Sequence, residues 1–206
     1  MTLDSLFEQL KNPNPNLRKR ARAEIVMRRD ANTIPRLMAN LEQEDMIYRR
    51  ASVKTLGLIG VDSVPSLVGS LINGKNPTIR ASCAKALAQI AVNHKEVPFP
   101  QEGIDALESA MKDPDAVVHI SSVMALGAIG LPAVDALIAA LESTDNLAVG
   151  VAVINALGAM NDERVPVILE KLSNDDSVDS YIRESAISAL SRLEMVMKYQ
   201  SINEER

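Results

Sequence analysis

The feature that most constrains this chain is an internal period of about 31 residues. An apolar residue recurs at Ile25, Leu56, Leu87, Leu126, Leu157 and Leu190, at spacings of 31, 31, 39, 31 and 33. A second series, Leu10, Leu41, Leu71, Met111, Leu141 and Leu172, runs 15 to 18 residues ahead of it. Four residues before each of these stand Leu6, Leu37, Leu67, Leu107, Leu137 and Ile168. That i, i+4 pairing is one stripe of an amphipathic helix. Each period therefore holds two short helices, repeated six times. One such pair cannot bury its own apolar face, so stacking of neighbouring pairs must supply the core.

Punctuation agrees with this reading. Asp4, Pro35, Pro65, Asp105, Asp135 and Pro166 precede the first-helix anchors by six positions. Asp and Pro are first-turn residues, one by the helix dipole and the other by its fixed φ. Turns rich in Asn, Asp and Pro separate the helices, as in Asn12-Pro13-Asn14-Pro15 and Asp113-Pro114-Asp115. Gly60 and Gly130 mark helix ends. The single long interval is one period plus eight, and the extra residues fall at Asn93 to Pro100. In the second helices a column of mostly small residues stands four before the anchor: Ala21, Ser52, Cys83, Ser122, Val153 and Ala186. Small side chains permit close helix approach. Aromatics at only 2% fit a core of Ala, Leu, Val and Ile. The pattern predicts an all-α fold, a right-handed α-solenoid of about six short helix-turn-helix repeats in a single domain, 1–206. Neither the ankyrin Thr-Pro-Leu-His turn nor the tetratricopeptide Trp-Leu-Gly-Tyr pattern occurs.

Composition narrows the function classes. A net charge of -5 does not favour bulk nucleic-acid binding. A single cysteine excludes an internal disulfide and fits a reducing compartment. The segment Met1 to Leu10 is polar and amphipathic rather than a signal peptide, and no apolar run approaches a membrane span. The expectation is a cytoplasmic protein with no membrane span and no nucleic-acid partner.

Catalytic and metal constellations are missing from the sequence. His94 and His119 stand in unrelated settings, and no zinc, phosphate-loop or nucleophile-elbow motif occurs. Cys83 lies in the small-residue column and reads as a buried, poorly nucleophilic spacer. Arg18, Arg49, Arg80 and Arg183, seven before their anchors, read as pairing with acceptors in the inter-helix turns and tying one repeat to the next, with His119 as a degenerate member of the column. The insertion with His94 and Phe99 is either punctuation or a functional loop.

One column points to binding. Six and two residues before the anchor lies the face opposite the packed stripe. It carries Lys19, Arg50, Lys54 and Lys85 in the first three repeats, then Ile120, Met124, Val151 and Asn155. A basic row beside an apolar one suits an amphiphilic, anionic ligand or an acidic partner helix; solvated charges over packed repeats would give the same pattern. Charge is polarised along the chain: residues 1–60 hold 11 Lys and Arg against 7 Asp and Glu, and the remaining 146 hold 11 against 20. The basic run Arg18-Lys19-Arg20-Ala21-Arg22 has no interleaved aromatics, which weakens a single-stranded nucleic-acid reading.

The motifs Tyr48-Arg49-Arg50-Ala51, Val53-Lys54-Thr55-Leu56-Gly57, Asn76-Pro77-Thr78-Ile79-Arg80-Ala81, Met124-Ala125-Leu126-Gly127-Ala128-Ile129-Gly130 and Arg183-Glu184-Ser185-Ala186 resemble the short HEAT-like repeats of the phycobilin lyase family. That family comprises E/F-type lyase subunits and Z-type chaperone-like relatives, and the resemblance covers nearly the whole chain. It implies assistance in thioether attachment of an open-chain tetrapyrrole to phycobiliprotein cysteines. The phycobilin would be a transient ligand rather than a permanent cofactor. The implied partners are phycobiliprotein subunits and a second HEAT-like lyase subunit. The nucleophile belongs to the phycobiliprotein, so such a protein has mainly to hold and orient the bilin. Family members that also isomerise the bilin carry Asn-His-Cys-Gln; here Asn93-His94 is followed by Lys95-Glu96. Two alternatives stay open: a non-catalytic scaffold in phycobilisome assembly or degradation, and a HEAT-like protein linked to iron–sulfur cluster transfer.

Overall fold

The computed structural model describes residues 1–204, with side chains through Met195. Twelve α-helices follow one another: α1 Leu3–Gln9, α2 Pro15–Met27, α3 Thr33–Ala39, α4 Met46–Ile59, α5 Val64–Asn73, α6 Pro77–Asn93, α7 Gln101–Ala110, α8 Ala116–Ile129, α9 Val134–Ser143, α10 Leu147–Leu157, α11 Arg164–Ser173 and α12 Ser180–Glu204. Short 3-10 turns at Asn40–Glu42, Val61–Ser63 and Leu131–Ala133 supplement them, and no strand occurs among the described residues. The all-α expectation holds, with two helices to each sequence period.

Every second helix begins on an Asn or Asp eleven residues before its anchor: Asn14, Asp45, Asn76, Asp115, Asn146 and Asp179. Each side chain accepts a hydrogen bond from a main-chain N–H of the first turn, at 2.8 to 3.0 Å for the residue two positions on. Such caps contribute about 1 kcal/mol apiece. Asp105 departs from the expected first-turn role. Helix α7 starts early, on Gln101 after Pro100, so Asp105 lies in its second turn and accepts from Gln101 Nε2 at 2.8 Å.

The chain divides into two compact units, Met1–Ala125 and Leu126–Arg206, and the division falls inside α8. In the first unit α2 packs on α4 and α4 on α6, while α3 packs on α5 and α5 on α7. First helices thus form one layer and second helices the other. In the second unit α9 packs on α10, α11 on α12, and α10 on α12. The small-residue column is buried in every repeat: Ala21, Ser52, Cys83, Ser122, Val153 and Ala186 are all 0% exposed. Close approach continues where side chains vanish. A Cβ on Gly57 would run into Gln89 Cβ of α6, and one on Gly158 would stand 2.7 Å from Ala189 Cβ of α12.

The arginine column reaches turn acceptors as expected, but it ties one repeat to the next only at Arg80. Arg18 donates to the Asn12 and Pro13 carbonyls, Arg49 to Gln43, and Arg80 to Gly74 and Lys75. These bonds close the turn within one repeat. Arg80 also ties its repeat to the next, clamping the Asp113 carboxylate through Nε at 2.6 Å and Nη2 at 2.8 Å. Arg183 pairs with Asp176.

The insertion is a clip. Asn93 Nδ2 donates to the Gly57 carbonyl and His94 Nε2–H to the Leu58 carbonyl, both at 3.1 Å. These are carbonyls of the last turn of α4, which have no partner within their own helix. Gly60 ends that helix at φ 90°, ψ -146°, a region open essentially to glycine alone. The Phe99 ring packs against Gly103, where a Cβ would stand 2.7 Å from the ring edge.

Candidate functional site

The exposed face of the second helices is set by helical arithmetic. With the anchor and the residue four before it buried, the position two before it points away. That position is occupied by Ala23, Lys54, Lys85, Met124, Asn155 and Ser188, and all six are exposed. The position six before the anchor behaves differently. Lys19, Arg50 and Glu184 are exposed, Ile120 and Val151 are half-buried, and Ala81 is buried. The face therefore narrows to a single exposed row in the middle repeats.

Arg50 and Lys54 stand on α4 and Lys85 on α6, helices in direct contact in the first unit. Lys19, Arg50, Lys54 and Lys85 make no ion pair among the described residues. Met124, on α8, is 66% exposed, with Ile120 one turn before it. The apolar half is thus mainly Met124. Val151 and Asn155 belong to α10 of the second unit. There Asn155 Oδ1 accepts from Arg192 Nη2 at 2.8 Å, so that oxygen is engaged.

One residue of this region does not follow from the two-column pattern. Arg22, three before its anchor, is half-buried, and its Nε has no hydrogen-bond acceptor. Burial lowers its pKa first, and the positive charge of Arg18 lowers it further. The signal was present in the repeat alignment, because the same position holds Val53, Ala84, Val123 and Ile154 in the next four repeats.

The remaining reactive groups are quiet. Cys83 is fully buried, and burial pushes its thiol up to about 12. No group of three or more His, Cys, Asp or Glu with metal-binding geometry occurs among the described residues. A cavity of about 540 Å³ opens in the second unit, lined by Leu131, Met160, Asp162, Glu163, Pro166 and Leu193. On its rim, hydrogen bonds from Arg164 hold the Asp162 carboxyl down at about 2 and pair its charge. Among the described residues no single helix is long and apolar enough to cross a membrane.

The model of HEAT repeats matches residues 3–88 and 104–191, leaving out the stretch that contains the clip. Phycocyanin operon protein Z of Pseudanabaena tenuis (strain PCC 7409) is 48% identical over 200 residues, 97% of this chain and 99% of that protein. The chain belongs to the family of HEAT-repeat proteins that includes phycocyanin operon protein Z. Bilin biosynthesis protein CpeZ of Synechococcus sp. (strain WH8020) is 32% identical over 165 residues, 77% of this chain and 88% of that one. Among solved structures, this HEAT-repeat protein is similar to one chain in the structure of the CpcE–CpcF complex of phycocyanin lyase from Nostoc sp. PCC7120. The TM-score is 0.51 at 18% identity, covering 75% of this chain and 96% of that one. An engineered protein aligns with TM-score 0.51 at 22% identity over 95% of this chain and 98% of its own. Both likenesses show the fold, a stack of helix pairs.

Proposed function

We propose that this chain is a subunit or chaperone-like partner of a phycobilin lyase, assisting covalent attachment of a phycobilin to phycobiliprotein cysteines. The observation that carries the reading is its kinship, over 77% of its length, with a protein named for bilin biosynthesis. The geometry fits a holding role. A bilin has an apolar conjugated body and two propionates. Arg50, Lys54 and Lys85 offer unpaired cations, with Met124 and the edge of Ile120 as the apolar part. Val151 and Asn155 are proposed as separate contacts on the second unit. The acceptor cysteine lies on the phycobiliprotein, so orientation of the bilin is the contribution asked of this chain. In this reading the repeats act as one domain over 1–206, in the cytoplasm, with phycobiliprotein subunits and a second HEAT-like lyase subunit as partners and the bilin as a transient ligand. The iron–sulfur alternative loses ground because the one thiol is buried and held protonated.

The test is the absorption spectrum of the purified protein mixed with an open-chain tetrapyrrole, with and without an apo-phycobiliprotein subunit and the lyase partner. Attachment yield should rise when the chain is present. Arg50→Glu with Lys54→Glu and Lys85→Glu should weaken association and flatten its salt dependence. Met124→Lys should weaken it without unfolding the protein. Unchanged association in the folded triple variant removes the basic row from the site. An unchanged spectrum and yield, with phycobiliprotein binding retained, makes the chain a scaffold instead.

A further inference from the structure

We propose that Arg22, between α2 and α4, is a receptor for a carboxylate. A group carried by the ligand or partner completes the hydrogen bonding that this guanidinium lacks in the free protein.

The position three before the anchor faces the next second helix. Val53 and Ala84 are buried there in the first unit and Ile154 in the second, while Ile187, on α12, is 53% exposed. Gly57, one turn on from Val53 on the same stripe, is the residue whose added Cβ would meet Gln89 of the following helix. By the same geometry Arg22 faces α4, on which Arg50 and Lys54 stand. A guanidinium thus occupies a site that its sister repeats fill with an aliphatic side chain. Its Nε is buried and has no acceptor. An unsatisfied buried N–H is costly and rare, so its presence calls for an account.

Arg22 forms no ion pair among the described residues, and neither its own helix nor α4 supplies an uncommitted acid. Helix α2 carries four cations and one acid, Glu24, which is committed to Arg28 at 2.8 Å. Helix α4 carries three cations and no acid. Arg18 is close enough to repel Arg22, and its own guanidinium donates to main-chain carbonyls rather than to a carboxylate. The geometry of a filled site is already present elsewhere in the chain. Arg80 grips Asp113 side-on through Nε and Nη2. Arg22 has the same Nε edge and no acid to meet it. The planar fork matches a carboxylate in this way, where a lysine would act only as a point charge.

Two sources of carboxylate meet this description under the function proposed above: a propionate of an open-chain tetrapyrrole, and an acidic side chain of a phycobiliprotein. The experiment follows the Nε–H resonance of Arg22 in protein labelled with 15N at arginine, assigned through Arg22→Lys. Glutarate, a free-acid tetrapyrrole with its dimethyl ester, and an apo-phycobiliprotein subunit are titrated in turn, with sodium chloride matching ionic strength. Affinities are measured in parallel for Arg22→Leu. This variant restores the aliphatic residue of the column, so its thermal midpoint should not fall. The expected result is a shift of the Nε–H with at least one carboxylate probe and none with chloride. The leucine variant should lose about ten-fold in affinity for that probe. Loss confined to the free acid, with the ester binding both proteins alike, assigns the propionate; loss confined to the subunit assigns an acidic side chain. A resonance unmoved by all three probes, with unchanged affinities in the folded leucine variant, overturns the proposal and leaves water as the partner of Nε. If the wild-type protein binds neither tetrapyrrole nor subunit, the lyase reading fails, and the glutarate titration still decides the receptor.

Discussion

Removing the carboxylate of Asp113 tests how one repeat is fastened to the next. Asp113 and Arg80 are 9% and 13% exposed, and two charge-assisted hydrogen bonds join them. Losing one partner of a buried pair costs about 3–5 kcal/mol, because a charge is left uncompensated. Arg80 keeps two carbonyl acceptors, those of Gly74 and Lys75, so the lower end applies to Asp113→Ala. For a chain of this size about 3 kcal/mol lowers the melting temperature by about 6–12 °C. The control is Asp4→Ala, whose carboxylate pairs with Arg36 while 84% exposed and is expected to contribute about 0–1 kcal/mol. Urea unfolding followed by circular dichroism at 222 nm measures both. Arg80→Met combined with Asp113→Leu should recover most of the loss, since an apolar pair leaves no buried charge. The reasoning is refuted if Asp113→Ala costs no more than Asp4→Ala. A pH series adds a second check. Hydrogen bonding from Arg80 holds the Asp113 carboxyl below its ordinary range. Its contribution is therefore complete above the unfolded value of about 4 and is lost as pH falls through the folded one. The gap between wild type and Asp113→Ala should stay constant from neutrality to about pH 4 and shrink below it.

Three further outcomes are expected. With its thiol pushed up to about 12, Cys83 should resist an aromatic disulfide reagent at pH 8 until the protein is denatured, and Cys83→Leu should cost about 1–3 kcal/mol by overpacking, more than Cys83→Ala. Gly130→Ala should cost about 1–3 kcal/mol from its φ of 82° alone, whereas Gly60→Ala, at φ 90°, should cost more, because its Cβ would lie 2.9 Å from the His94 ring; equal urea midpoints would contradict this. Asp45→Ala should remove about 1 kcal/mol by uncapping α4, and Asp45→Asn should restore it.

The repeat was legible because a helix pair with a short turn consumes a nearly constant length of chain, so burial recurs at a constant interval. The small-residue column, buried without exception, is the clearest instance. The Asn and Asp caps eleven before each anchor were equally legible, since capping is local chemistry. Depth at the candidate site was not. Lys54 and Met124 follow from helical phase, but the half-burial of Ile120 and Val151 depends on how closely neighbouring helices pack around them. The engagement of Asn155 by Arg192 joins residues 37 apart through packing that no local pattern announces. Arg22 was visible as a charge in an aliphatic column, yet only coordinates show that its Nε meets nothing.

The clip at Asn93 and His94 has a consequence for synthesis. The last turn of α4 draws two of its hydrogen-bond donors from residues 36 positions downstream. At about 5–20 residues per second a ribosome needs roughly 2–7 s to make that stretch. During that interval the nascent α4 has an open C-terminal end, and Gly60 has no imidazole beside it to hold the sharp exit from the helix. The second repeat is thus completed at its C-terminal end only by residues that leave the ribosome at the end of the third repeat's second helix.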